Sequence, residues 1–325
     1  MKRRSLAILA AGMGFGLSAP LSRAQSFPAQ PVRIISPFSA GSGPDALTRI
    51  VAEKLTATWK EPVLIDPRPG ASGFIAATAV KQATPTGYDL FLADVGHLAI
   101  NPSLFKKLPY DPKIDFVPVG GMFRTAFFVM VGANSPIRTV KDLVAAASAA
   151  PGKVTYGSTA VGGPPHLGAA LLASVSGTQM THVPYKEVTQ LNIAVANGDI
   201  DWAMSTLATA GPLVKAGKVR FIAIADDIRS PSLPNVPTVE ESGGPKGVLA
   251  RSWVALVAPR GTPAAVVSTL NQNLNDVLRQ PEIADRFMAV GFVPYPTTPA
   301  ALATLIDTDT VAYTALVKRT GASAD

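Results

Sequence analysis

Apolar positions along this chain follow two periods that alternate. Val32 to Pro37 is a short β-branched run that predicts a strand; from Pro44 to Trp59, Leu47, Ile50, Val51 and Leu55 share one helical face. A second helix is expected from Gly73 to Gln82 and, after Pro85-Thr86-Gly87, a strand from Asp89 to Asp94. Further strands are predicted at Val154 to Tyr156, Met180 to Pro184, Asp201 to Met204 and Val219 to Ala225. Between them lie a helix from Pro165 to Ser176 and another through Gln190 to Val195 that Gly198 would cap. Strand–helix–strand alternation of this kind builds parallel sheets covered by helices, so the class is α/β.

Two long extended stretches, Met122 to Val131 and Ser252 to Ala258, interrupt the alternation. The helices after the second, Pro263 to Arg279, Pro281 to Val290 and Pro299 to Arg319, have no lobe of their own and must pack back on the first unit. The pattern predicts two lobes joined by two crossing strands, one discontinuous (26–125 plus 252–325) and one continuous (126–251). Such an arrangement leaves a cleft that hinge motion can open and close.

The chain has 325 residues, 47% of them apolar and 16% charged, which is the balance of a globular protein rather than a disordered one. It has no cysteine, which removes disulfides, thiolate zinc sites, iron–sulfur clusters and cysteine nucleophiles together. The formal charge of +7 invites a nucleic-acid reading until its distribution is considered. Lys2, Arg3, Arg4 and Arg23 all fall in the first 24 residues, around an apolar run from Leu6 to Leu21 that ends in Ser22-Arg23-Ala24. That is the anatomy of a cleaved secretory signal (1–24), by the Sec or the twin-arginine route. The mature chain would carry only +3, would not be embedded in a membrane, and is expected to bind no nucleic acid.

Three Gly-rich loops stand between a strand and the start of a helix: Pro37 to Asp45, Arg68 to Gly73, and Tyr156 to His166. A helix beginning at such a loop points unpaired N–H groups into it and suits an anion. The first and third loops contain no Lys or Arg, so any carboxylate there must be held by backbone amides and by Ser39, Ser42, Ser158 and Thr159. Three or four hydrogen bonds of about 1.5–3 kcal/mol each could support micromolar binding once ordering costs are subtracted. Three loops of this kind in two lobes would face one cleft.

Enzyme signatures are weak. His97, His166 and His182 have no metal-ligand spacing, and no G-x-S-x-G, Walker or G-x-G-x-x-G motif occurs, so neither a metal nor a cofactor is expected. A triad of Ser158, His166 and Asp94 remains open as an alternative, because triads are geometric rather than local.

The ordered segments VRIISPFSAGSGPD, RPGASG, GHLAINPSLFKKLPYDPKIDF, YGSTAVGG, HVPY, AGKVRFIAI, LPNVPTVEESG and APRGTPAAVVSTLN resemble the extracytoplasmic solute receptors of tripartite tricarboxylate transporters, the Bug family. The resemblance implies a type II periplasmic-binding-protein fold, with a mostly parallel sheet flanked by helices in each of two lobes. It also implies a monomeric, non-catalytic periplasmic receptor that passes a small organic carboxylate to transporter membrane subunits. The ligand would lie between the first loop (Phe38, Ser39, Ala40, Gly41, Ser42, Asp45) and the third (Ser158, Thr159, Ala160, Val161, Gly162, Gly163, with His166). Ser72, Gly73, Gly96, His97 and Tyr185 carry over as pocket wall. This sequence departs from the family at Ser42, where Gly is usual, and at Glu187, also usually Gly; the favoured place for the Glu187 carboxylate is a solvated turn. A ligand sensor for a signalling receptor, or an exported hydrolase using Ser158 or Ser72, are the alternatives.

Overall fold

Strand β1 (Val32–Ser36) is buried on both faces because helices cover it from each side. Val32 and Ile34 pack with Leu47, Val51 and Leu55 of the helix Gly43–Trp59, whereas Ile35 points the other way, to Ala76, Ala77 and Val80 of the helix Phe74–Lys81. The computed structural model describes residues 27–159 and 161–324; the predicted signal segment and Ala160 lie outside the described residues.

Two mixed sheets organise the chain. The first contains β1, β2 (Val63–Pro67), β3 (Asp89–Asp94), β4 (Phe116–Ala126), β10 (Arg251–Pro259) and β11 (Val293–Pro294), in the order β11-β4-β10-β3-β1-β2. The second contains β5 (Phe128–Gly132), β6 (Thr155–Ser158), β7 (Thr181–Pro184), β8 (Trp202–Ser205) and β9 (Val219–Ile224), in the order β7-β6-β8-β5-β9. The α/β class with helix-flanked sheets is as the sequence predicts, but the expectation of mostly parallel pairing needs correction. Parallel pairs are confined to β2-β1-β3 and β7-β6-β8; β4, β5, β9, β10 and β11 pair antiparallel. The reason is the crossing: β4 carries the chain out of the first sheet and β10 brings it back alongside, so the two must run in opposite directions.

The single extended stretch expected from Met122 to Val131 is two strands that change partners at Phe127. Phe127 N–H donates to the Ala250 carbonyl (2.9 Å), Ala225 N–H to the Phe127 carbonyl (2.8 Å), and Ala250 N–H to the Ala225 carbonyl (2.9 Å). Arg251 lies 2.9 Å from Asp226 and 3.1 Å from Asp227, adding ion pairs to the same junction.

Several elements carry weaker sequence signals. The helix Val140–Ala149 starts at a capping box of Thr139 and Asp142, and the helix Leu207–Lys215 contains Pro212. The helix Pro299–Thr320 is, among the described residues, long and apolar enough to cross a bilayer by length and composition. It instead buries Leu302, Ile306 and Val317 against the first sheet's core, while Asp307 pairs with Lys113 and Asp309 accepts from Trp253 Nε1.

Candidate functional site

The loop after β1 is shaped by its own side chains. Ser36 Oγ accepts the Phe38 N–H (3.2 Å), and the Ser39 carbonyl accepts the Ser42 N–H (3.1 Å). Ser42 is the N-cap of the helix Gly43–Trp59, and Pro44 occupies its first turn, where a missing N–H costs nothing. Asp45 is buried, and its carboxylate accepts the Gly41 N–H (2.9 Å) and two bonds from Arg49 (2.9 and 3.1 Å). Burial opposes its ionisation, but these bonds outweigh the burial and hold the carboxyl below the usual range. Asp45 therefore supports the loop and the helix start. Ser39, Ala40 and Gly41 remain exposed, Ser42 is half-buried, and Gly43 rests near the Phe292 ring.

The loop after β2 meets the end of β3. Ala71 and Ser72 both adopt left-handed backbone conformations (φ 45° and 50°), a strained arrangement for residues with a Cβ. Asn101 Nδ2 donates to the Ser72 carbonyl (3.3 Å) and steadies the turn. Gly73 has φ 84°, and a Cβ there would lie 2.0 Å from His97 Nε2, so glycine is required on both counts. His97 is fixed from its other side: Nδ1 lies 2.5 Å from Asp94 Oδ1, which also accepts the His97 N–H (3.0 Å), and Tyr110 donates to the His97 carbonyl (2.8 Å). Burial disfavours the Asp94 charge, but His97 and the Gly96 N–H outweigh it and keep the carboxyl below its ordinary value. The Phe38 ring meets His97 edge-on at 6.1 Å. Phe38, Ser72, Gly73, Gly96 and His97 are thus gathered along one wall.

In the second sheet, Ser158 is fully buried and its Oγ lies 2.7 Å from His182 Nε2. His166 Nδ1 accepts the Gly162 N–H (3.0 Å), which fixes its neutral tautomer with the proton on Nε2. Burial and the neighbouring His182, 4.4 Å away between ring centres, push the His166 pKa down to about 4. The Tyr185 N–H donates to the Ser158 carbonyl (2.9 Å), and its ring packs by Gly157. Thr159 and Gly163 are half-buried and Val161 is exposed. Gly162 has φ 80°, and any Cβ there would run into the Leu104 side chain of the first unit. The first and third loops therefore abut the same segment, Phe38 through His97 and Gly162 through Leu104. Glu187 is exposed at the start of the helix Val188–Asn197. The Ser158–His166–Asp94 triad is not assembled, because the serine pairs with His182 and Asp94 pairs with His97 on the other sheet.

A cavity of about 570 Å³ opens between elements of the first sheet and elements of the second, lined by Phe38, Gly43, Pro44 and Asp94 on one side and Thr206, Ala208 and Thr209 on the other. The threonines were not among the predicted residues. Thr206 is the turn between β8 and the helix Leu207–Lys215, the same strand–loop–helix arrangement without the glycines that mark the other loops. Residues 47–322 match the model of the tripartite tricarboxylate transporter family receptor. The chain belongs to this family. Among tripartite tricarboxylate receptors it is similar to a UPF0065 protein of Bordetella bronchiseptica, 32% identical over 87% of this chain and 84% of that one. It is also similar to the protein BugT of Bordetella pertussis, 29% identical over 94% of each. In structure it is similar to Rpa4515 of R. palustris with adipate (TM-score 0.82, 30% identity, covering 91% of this chain and 99% of that one). MatC of Rhodopseudomonas palustris with bound malate gives a TM-score of 0.76 at 27% identity, covering 90% and 100%. The receptor family is a solute-binding family, not an enzyme family.

Proposed function

We propose that this receptor captures a small organic carboxylate in the periplasm, between a lobe of residues 26–125 plus 252–325 and a lobe of residues 126–251, and delivers it to a tripartite tricarboxylate-type membrane transporter. The observation that carries this reading is the cavity between elements of the two sheets, which has the Phe38–Pro44 turn and the Thr206–Thr209 turn on opposite sides. Of the residues expected from the sequence, Phe38 lines this cavity; the backbone of Ser39 and Ala40 and the hydroxyls of Ser42 and Thr159, on the loops outside its lining, are proposed as the neutral donors for the acid group, with Ser72, Gly73, Gly96, His97 and Tyr185 as wall. Gly162 and Gly163 allow the second lobe's loop to approach. Family membership and the adipate and malate bound by the two similar receptors support a carboxylate ligand.

The reading is tested by thermal-shift screening of the exported protein against a panel of carboxylic acids. A ligand that binds only the folded state raises the melting temperature by mass action. At least one acid should give a rise of a few degrees; a panel without any stabiliser would remove the proposal.

A further inference from the structure

The inner surface of the cavity beside Phe38–Pro44 is hydrocarbon. Leu47, Phe123, Val254 and Phe292 are buried there, and Ile50 and Phe127 are half-buried beside them. The polar groups that line it are largely engaged already. Thr125 Oγ1 donates to the Gly291 carbonyl (3.0 Å), and the Thr206 and Thr209 hydroxyls lie 3.0 Å from each other, with Ser205 also 3.0 Å from Thr209. Asp94 is held ionised and is bound to His97, so it can only accept. Among the described lining residues, Ser252 and the exposed Arg286 at the rim are left.

A second carboxylate pushed into this space would lose its water against apolar walls, find few donors and stand near an ionised Asp94. Resting on the proposed placement of the acid group at the loops, we infer that the rest of the ligand is hydrocarbon. The receptor takes an amphipathic monocarboxylate, aryl or medium-chain alkyl, in preference to short hydroxylated di- and tricarboxylates.

Calorimetric titration of the exported protein with acetate, butyrate, hexanoate, octanoate, phenylacetate, malate and citrate tests this. Burial of each methylene should tighten binding by up to about fourfold along the alkyl series, and phenylacetate should bind at least tenfold tighter than malate. Ala289 lies exposed on the cavity lining, so Ala289→Phe should narrow the space, weakening octanoate while sparing butyrate. A flat or falling alkyl series, malate or citrate binding tighter than hexanoate, or octanoate unaffected by Ala289→Phe would each overturn the inference while leaving the receptor reading in place. If no acid of either kind bound, the receptor reading itself would fall, and this inference with it.

Discussion

Ser158 Oγ and His182 Nε2 lie 2.7 Å apart, joining the C-terminal end of β6 to β7 directly behind the loop that approaches Leu104. The hydroxyl is fully buried, so its bond to the imidazole is a structural one. Ser158→Ala removes a buried hydroxyl and leaves the half-buried His182 ring nitrogen without this partner, and should cost about 1 kcal/mol in urea unfolding. Acid affinity should change less than threefold. A tenfold loss of affinity with unchanged stability would instead mean that the serine touches the ligand.

Asp45 ties the exposed Gly41 amide to the first turn of its helix and is itself held by Arg49. Asp45→Ala removes a charged acceptor from a buried position and leaves the Gly41 N–H free to move. The expected result is a loss of about 2 kcal/mol of stability together with weaker binding of all acids alike, because the loop is no longer held in place. Titration with paired simple acids and amino acids checks this; selective loss of the amino acids would assign Asp45 to recognition of a ligand amine.

Gly73 and His97 occupy space that only a glycine leaves open, and the φ of 84° adds a second penalty for any side chain. Gly73→Ala should destabilise the protein by about 2–4 kcal/mol through overpacking and backbone strain. The double variant Gly73→Ala/His97→Ala should recover part of that loss, since only the clash is relieved and the φ penalty stays. Chemical denaturation of the four members of the cycle measures the coupling; strictly additive costs would show that the ring is not the obstacle.

The sequence made the parallel parts of both sheets legible because most helices there, those starting at Gly43, Phe74 and Pro164, have a Gly or Pro at or just before their start. The strand from Asp89 to Asp94 and the cap at Gly198 are where the pattern places them. The stretch Met122 to Val131 reads as one strand even though Arg124 and Thr125 interrupt its apolar run just before Phe127, since extended sequence carries no mark of where its hydrogen-bonding partner changes. Nor was the role of Asp45, whose helix-start position looks the same whether its carboxylate turns to the loop or to a ligand. The apolar half of the cavity escaped for a different reason. Phe123, Val254 and Phe292 read as ordinary core, and only the packing shows that they also line an opening between elements of the two sheets.

His166 provides a pH test of the second sheet. Its pKa of about 4 in the folded protein lies below the ordinary value of 6.5, because burial and the adjacent His182 ring disfavour the charge, and its Nδ1 is already accepting from Gly162. A histidine depressed in this way contributes stability that is fully present above pH 6.5, where both folded and unfolded forms are neutral. As pH falls, the unfolded chain takes up its proton first, so this stability drains away between pH 6.5 and about 4. Allowing for partial access of water to the site, the loss should reach about 2 kcal/mol. Urea unfolding at closely spaced pH values should show this slope, and His166→Gln, which keeps an acceptor for the Gly162 amide but cannot titrate, should flatten it. An unchanged slope in the variant would move the acid sensitivity to other groups, with the half-buried His182 next in line because partial burial lowers its pKa as well.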